Sequence, residues 1–372
     1  MFASLYHQKK ILITGHTGFK GSWLSEWLLL LGAEVTGFSN RTSPPPDHFT
    51  ALGLDQRMRH EIGDVRDLPA LEKVLCETRP DFVFHLAAQP LVRLSYREPV
   101  ETMNTNVMGT VNLLDALRRM RHPVACVVVT SDKCYENREV LHGYHESDAL
   151  GGHDPYSASK GAAEIVAQSY RRSYFMAPDS LVRMATARAG NVIGGGDWAE
   201  DRIVPDCVRC LMRDEAIAVR NPAATRPWQH ILEPLSGYLW LGALLTGAVK
   251  LPRVPDALAV SSAFNFGPWL EANRTVEDLV TEMLKHWPGT WRDASQPGAV
   301  HEAGLLNLSI DKVWHILSWQ PVWSFADNVR ATARWYQQAT QAGAAAGDLT
   351  RGDIRAYVEA AKAARVPWAC LS

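Results

Sequence analysis

Ile11-Leu12-Ile13-Thr14-Gly15-His16-Thr17-Gly18-Phe19-Lys20-Gly21 runs from a short apolar stretch, through a G-x-x-G-x-x-G turn, into an apolar-rich helical pattern that reaches Leu31. An apolar run of that length reads as a buried strand, and the spacing after it as a helix. Glycines permit a tight turn there and let a ligand approach the backbone at the helix N-terminus, where unpaired N–H groups and the helix dipole favour an anion. The pyrophosphate of a dinucleotide fits that description. A lone glycine motif is weak, but the strand before it and the helix after it supply the required context. Gly15, His16, Thr17, Gly18, Phe19, Lys20 and Gly21 are therefore candidate cofactor-binding residues.

Outward from this turn, apolar strands alternate with helical patterns. Strands are expected at Glu34 to Phe38, Glu61 to Asp64, Phe82 to Phe84, Ala125 to Thr130 and Val182 to Ala187, with helices from about Pro99 to Met120 and from Tyr156. This alternation predicts a doubly wound α/β fold, a parallel sheet with helices on both faces. From Asn191 onward the order loosens, so a smaller mixed α/β lobe is expected. The division predicted is 1–190 with a returning segment at about 228–267 for the dinucleotide, 191–227 and 268–340 for a second ligand, and 341–372 as a joint and one helix around Asp353 to Ala364.

An NAD site usually has an acid about 20 residues beyond the glycines, accepting from the ribose hydroxyls. Here Ser39-Asn40-Arg41 takes that place. Ser39 and Asn40 suit a bare ribose and Arg41 would tolerate a 2′-phosphate, so NAD and NADP both stay open. Asp64-Val65 is placed to meet the adenine, and Leu86-Ala87-Ala88-Gln89 ends a strand with small residues that let a cofactor lie close.

Composition bounds the rest. The chain has 372 residues, 47% hydrophobic and 21% charged, with a formal net charge of -2. Such a balance gives no global field to attract nucleic acid or an anionic membrane. The first ten residues carry no leader pattern, and no apolar run of membrane-spanning length follows, so a soluble cytoplasmic protein is expected. The six cysteines are too sparse for a disulfide scaffold. Cys207-x-x-Cys210 lacks a second Cys/His pair and reads as two turns of an amphipathic helix; no metal site is predicted.

Tyr156-Ser157-Ala158-Ser159-Lys160 sets a phenol and an ammonium four residues apart, on one helix face. The ammonium is expected to lower the phenol's pKa toward neutrality and make it a base for a sugar or alcohol hydroxyl. The other reactive run, Thr130-Ser131-Asp132-Lys133-Cys134-Tyr135-Glu136-Asn137, follows a buried strand. On a regular strand Asp132 and Lys133 would face opposite sides, so they converge only if the strand has already turned into a loop.

The glycine turn, Leu86-Ala87-Ala88 and Tyr156-x-x-x-Lys160 resemble the extended short-chain dehydrogenase/reductase family. More narrowly, GHTGFKGSW, HLAAQPLVRLSY, NTNVMGTVNLL, TSDKCYENRE, DPYSASKGAAE, RAGNVIGGGDW and RPWQHILEPLSGY resemble the CDP-glucose 4,6-dehydratases of deoxysugar biosynthesis, in order over about residues 11–238. The likeness thins beyond residue 270. It implies a redox-neutral dehydration of CDP-glucose with a resident nicotinamide. In that scheme Tyr156, supported by Lys160, takes the C4 hydroxyl proton. Asp132 is the candidate acid at the C6 hydroxyl and Lys133 the candidate base at C5, with Glu136 a competitor. Burial would keep Asp132 protonated and Lys133 partly neutral. Thr130 and Ser131 would bond the C4 hydroxyl or Tyr156, and Asn106 would interrupt its helix beside the cofactor.

The same resemblance assigns the diphosphate to Asn191 and Arg226, with Arg202 and Arg274 as further candidates and Arg93 facing the sugar. His16 and Lys20 depart from the small or apolar residues common in such turns: Lys20 suits a cofactor phosphate, and His16 is expected to crowd it. A homodimer, or a dimer of dimers, through helices near 99–120 and 156–174 is implied as well. The alternatives are another nucleotide-sugar dehydratase, a 4-epimerase, which needs no proton donor at C6, and a non-catalytic dinucleotide sensor.

Overall fold

The computed structural model describes residues 1–40, 46–295 and 305–371. Seven strands form its main sheet: β1 (Lys10–Thr14), β2 (Glu34–Ser39), β3 (Arg59–Ile62), β4 (Phe82–His85), β5 (Val124–Val129), β6 (Val182–Ala189) and β7 (Ala263–Phe266). Their spatial order is β7-β6-β5-β4-β1-β2-β3, and every ladder is parallel. The order reverses between β1 and β4, which opens a crevice at the strands' C-terminal ends, where such sheets bind ligands.

Alternation along the strands separates two apolar layers. Ile11, Ile13, Phe82, Phe84, Ala125 and Val127 join one core with Trp23, Leu24, Trp27 and Leu28 of α1 (Phe19–Leu30). Leu12, Val83, Cys126 and Val128 join the other, with Leu71, Val74 and Leu75 of α2 (Leu68–Thr78) and Leu113, Leu114 and Leu117 of α3 (Gly109–Arg118). Helix α4 (Pro155–Tyr170) also covers the second layer, capped by the Asp154 side chain, which accepts from Ser157 N–H. A helix apolar on all sides is buried on all sides; α5 (Leu232–Leu245) is such a helix, every residue of it buried behind the first layer.

Two expectations need correction. The helix foreseen from Pro99 to Met120 is three pieces, Pro99–Met103, a π-helical turn at Asn104–Met108, and α3. The C-terminal helix, α6 (Ala346–Ala363), begins at Ala346 and not near Asp353. Gly343, at φ +64°, turns the chain, and the alanines after it are strong helix formers. Nor is it a loose appendage: Ile354, Tyr357, Val358 and Ala361 share one buried face. Beyond it Trp368 stacks on Phe2, ring centroids 5.1 Å apart.

Short strand pairs frame the far side of the crevice. Thr225–Pro227 pairs with Asn273–Thr275, and Ile217–Val219 with Trp291–Asp293. The C-x-x-C lies on the helix Ile203–Met212, as its spacing predicts. Among the described residues no helix is long and apolar enough to cross a membrane.

Candidate active site

One cavity of about 2740 Å³ occupies the crevice, lined at one end by Gly15, Thr17, Gly18 and Ser39 and toward the other by Asn191, Arg220 and Arg226. Ligand pockets commonly measure about 300–1,000 Å³. This one has room for a dinucleotide and a nucleotide sugar together.

The glycine turn is built by close backbone approaches. Gly15 has φ +76°, and a Cβ on it would lie 2.7 Å from the Ala87 nitrogen. A Cβ on Gly21 would lie 2.2 Å from the Gly15 carbonyl oxygen. Gly18 caps α1 and is exposed, so the helix's free N–H groups face the cavity. Thr17 and Ser39 share a hydrogen bond of 2.9 Å, and Asn40 reaches the Asp64 carboxylate at 3.5 Å. Phe19, Val65, Leu86, Ala87, Ala88 and Gln89 also line the wall. Anion donors, small floor residues and polar groups at one end fit a dinucleotide. Arg41 lies outside the described residues.

His16 is not where it was expected. Its ring is fully buried under Gly37, edge-on to Phe49, and Nε2 is 2.6 Å from His60 Nδ1. It does not line the cavity and cannot crowd a phosphate; burial first, and His60 second, lower its pKa to about 3. Asn106 is also off the wall. In the π-turn its Oδ1 accepts from Gln89 N–H at 2.8 Å, and its Nδ2 donates to the Gln89 carbonyl at 3.1 Å and to Ser159 Oγ at 2.8 Å. Asn106 therefore interrupts the helix and locks Gln89 to α4, without meeting a cofactor itself.

At the end of β5 the geometric objection to Asp132 and Lys133 resolves. The strand stops at Val129, and Asp132–Cys134 forms a single 3-10 turn capped by the Ser131 hydroxyl, which accepts from Lys133 N–H. Both residues line the cavity. Glu136 does not: it is exposed, with its carboxylate over Gly151, where a Cβ would come within 2.2 Å of Oε2. Asp132 is 2% exposed. Burial raises its carboxyl above the usual range against the pull of Lys133, and Ser131 Oγ donates to Oδ1 at 2.9 Å. Oδ2 is buried with no partner among the described residues. A buried oxygen left in that state is one a ligand hydroxyl would satisfy. Thr130 lines the cavity, but its hydroxyl donates to Glu164 at 2.5 Å and not to Tyr156 as expected.

Tyr156 and Lys160 line the cavity from α4, both buried. The phenol, however, is pushed up to about 12, chiefly by burial, with a Ser131 hydrogen bond opposing and Asp132 adding to the rise. Lys160 is lowered to about 8, again by burial. Desolvation thus outweighs the help expected from the ammonium. Lys20 reaches inward, 3.5 Å from Tyr238 Oη, and is lowered to about 8 by burial against the pull of Asp132.

On the far side Arg202 binds Asp197 at 2.7 Å, and Arg93 and Arg220 meet at Asp201, at 3.2 and 2.7 Å. All of these, with Asn191 and Arg226, line the cavity. Arg274 does not: it pairs with Arg226 across the short ladder but is exposed and off the wall. Asp201 and Arg220 escaped sequence reasoning, since nothing in their neighbours sets them apart from surface charges. Glu164 was also missed, although it stands four residues beyond Lys160 on the same face.

A parallel sheet with a glycine turn, an inward acid and lysine after β5, and a tyrosine–lysine helix suits one family, and the model for GDP-mannose 4,6 dehydratase matches residues 12–241. The chain belongs to that family. Within this dehydratase family, CDP-glucose 4,6-dehydratase of Salmonella typhimurium is 43% identical over 90% of the chain and 92% of its own length. CDP-paratose 2-epimerase of Salmonella typhi is 30% identical over 88% and 98% respectively. Among solved structures, a dTDP-glucose 4,6-dehydratase from Streptomyces venezuelae with NAD bound superposes with a TM-score of 0.73 at 25% identity, covering 88% of this chain and 97% of that one.

Proposed function

We propose that the chain catalyses the 4,6-dehydration of CDP-glucose to CDP-4-dehydro-6-deoxy-D-glucose, with NAD as resident cofactor. The observation that carries the reading is the 3-10 turn that aims Asp132 and Lys133 into the cavity shared with Tyr156. A 4-epimerase has no use for a buried acid whose pKa is raised there. The name of the Salmonella typhimurium relative supports the substrate, and the NAD in the Streptomyces venezuelae structure supports the cofactor.

NAD, when bound, supplies a hydride acceptor for C4 that gives the hydride back at C6, and a positive charge in its oxidised form. Tyr156 acts as phenolate and accepts the C4 hydroxyl proton, with Lys160 one turn behind it and the positive charge of bound NAD drawing down a phenol that burial alone raises. The ketone at C4 acidifies C5–H, and Lys133 takes that proton. Asp132 donates its proton to the C6 oxygen, which leaves as water; Lys133 then returns a proton to C5. The proton gained by Tyr156 equals the one lost by Asp132, so the chain resets by one exchange with solvent. Asn191, Arg202, Arg226 and Arg93 hold the diphosphate and sugar.

In this reading residues 1–190 with 228–267 hold the cofactor, and 191–227 with 268–340 hold the nucleotide sugar. Exposed Val100, Met108 and Ile165, at 72, 46 and 56%, support a homodimer through the helices that carry them. The decisive experiment uses CDP-glucose deuterated at C4. Loss of water with deuterium arriving at C6 is the expected result; an intact mass, or deuterium lost to free reduced cofactor, overturns the reading.

A further inference from the structure

Both ends of the acid–base turn are tied to one buried ion pair that no step of the chemistry uses. Glu164 follows Tyr156 and Lys160 at four-residue spacing on α4, and it is 2% exposed. Its Oε1 accepts from Thr130 Oγ1 at 2.5 Å, and its Oε2 accepts from Thr186 Oγ1 and Arg188 Nη2, both at 2.8 Å. Arg188, on β6, donates through Nη1 to Tyr135 Oη at 2.8 Å, and its guanidinium lies 4.9 Å from the centre of that ring. Tyr135 in turn donates to Asn265 Oδ1 of β7 at 2.7 Å. Thr130 stands immediately before Ser131-Asp132-Lys133 and Tyr135 two residues after Lys133, so the pair grips the turn from both sides.

We infer that Glu164 and Arg188 are positioning residues: their ion pair clamps the Asp132–Lys133 turn to the helix that carries Tyr156 and Lys160. The inference rests on the dehydratase reading for its catalytic consequence, but the clamp itself is a property of the chain. The turn already packs against α4, with Asp132 and Cys134 buried, and the ion pair adds polar ties at both of its ends. Elimination needs the acid at C6 and the base at C5 at once, whereas C4 oxidation needs only the tyrosine. A loosened turn therefore slows elimination selectively.

Removing either ion-pair partner leaves the other charge buried and unpaired, which threatens folding. Three milder variants each remove one hydroxyl from the same network: Thr130→Val and Tyr135→Phe cut the ties to the turn, and Thr186→Val cuts a tie that leads away from it. Amide hydrogen exchange over residues 130–135 is measured on the full chain, alongside single-turnover cofactor reduction and water loss from CDP-glucose. Thr130→Val and Tyr135→Phe are expected to speed exchange and slow elimination by about tenfold, with cofactor reduction within about twofold of the unmodified protein. Thr186→Val is expected to change neither. Unchanged exchange in the first two variants, or equal effects in all three, overturns the inference. If the unmodified chain does not dehydrate CDP-glucose, the functional reading fails, and the exchange data still decide whether the clamp exists.

Discussion

Lys133 and Glu136 are both ionisable, three positions apart, and only their placement separates them as bases at C5. The turn sends Lys133 into the cavity and lays Glu136 over Gly151 outside it. Lys133→Gln is therefore expected to lower water loss by about 10²–10⁴-fold, the span of a lost general base, and to stop exchange of the C5 proton with deuterated solvent. Glu136→Gln is expected to stay within about twofold, as an exposed change away from the site does. Equal losses in the two variants would remove Lys133 from its role. Asp132→Asn keeps the shape but not the transferable proton, so reduced cofactor is expected to build up after substrate is added, followed by its absorbance. A protonated acid is required, which gives the sign of the pH effect: activity falls as pH rises through the raised pKa of Asp132.

At the scale of single elements, the strands and the glycine turn were legible because their signals are local. The period of two in Ile11-Leu12-Ile13 and Val127-Val128-Val129 assigns each side chain to a layer, and Gly15 must be glycine because its own backbone requires it. The acid–base turn was half legible, since the residues announced chemistry but only the chain's path after Val129 makes them converge. His16 misled because a ring beside glycines looks like an obstruction, when its rotamer turns it onto Gly37 instead. The π-turn was half legible: the resemblance marked Asn106 as the point where the helix is interrupted, but nothing near it fixes how many residues the turn holds, and Gln89, seventeen residues away, supplies the bond. Asn106→Ala is expected to cost about 1–3 kcal/mol in denaturant unfolding, because Gln89 N–H would be left buried without an acceptor. Gly21→Ala is expected to abolish retention of the cofactor on purification, since the added carbon meets the Gly15 carbonyl and must push the turn apart. An alanine variant that keeps cofactor at the unmodified level would contradict that geometry.

For the molecule as a whole, buried titratable groups set the response to acid. His16, His48, His85 and His230 are each lowered to about 3 by burial, so the folded state holds them neutral while the unfolded chain binds protons below about 6.5. Stability from these groups is present above that pH and is lost as pH falls. Glu233 and Asp353 act in the opposite sense: burial raises both to about 7, so their contribution is present at low pH and is lost as pH rises through 7. With four groups against three, Asp132 being the third raised carboxyl, the denaturation midpoint is expected to fall from pH 7 toward pH 4, most steeply below about 4.5, where the acids of the unfolded chain protonate too. His48→Gln is expected to flatten that fall and Glu233→Gln to steepen it; a midpoint that rises toward pH 4 would reverse the assignment. Several of these groups gather where α6 meets the rest of the chain. His48 Nε2 lies 3.0 Å from Thr350 Oγ1, and Glu233 accepts from Tyr357 at 2.6 Å. The stacking of Trp368 on Phe2 has a consequence for biosynthesis. A ribosome adds about 5–20 residues per second, so Phe2 waits tens of seconds for its partner ring. Throughout that interval Phe2 and Trp27 present an uncovered aromatic face, and the nascent chain is most in need of a chaperone just before its last helices emerge.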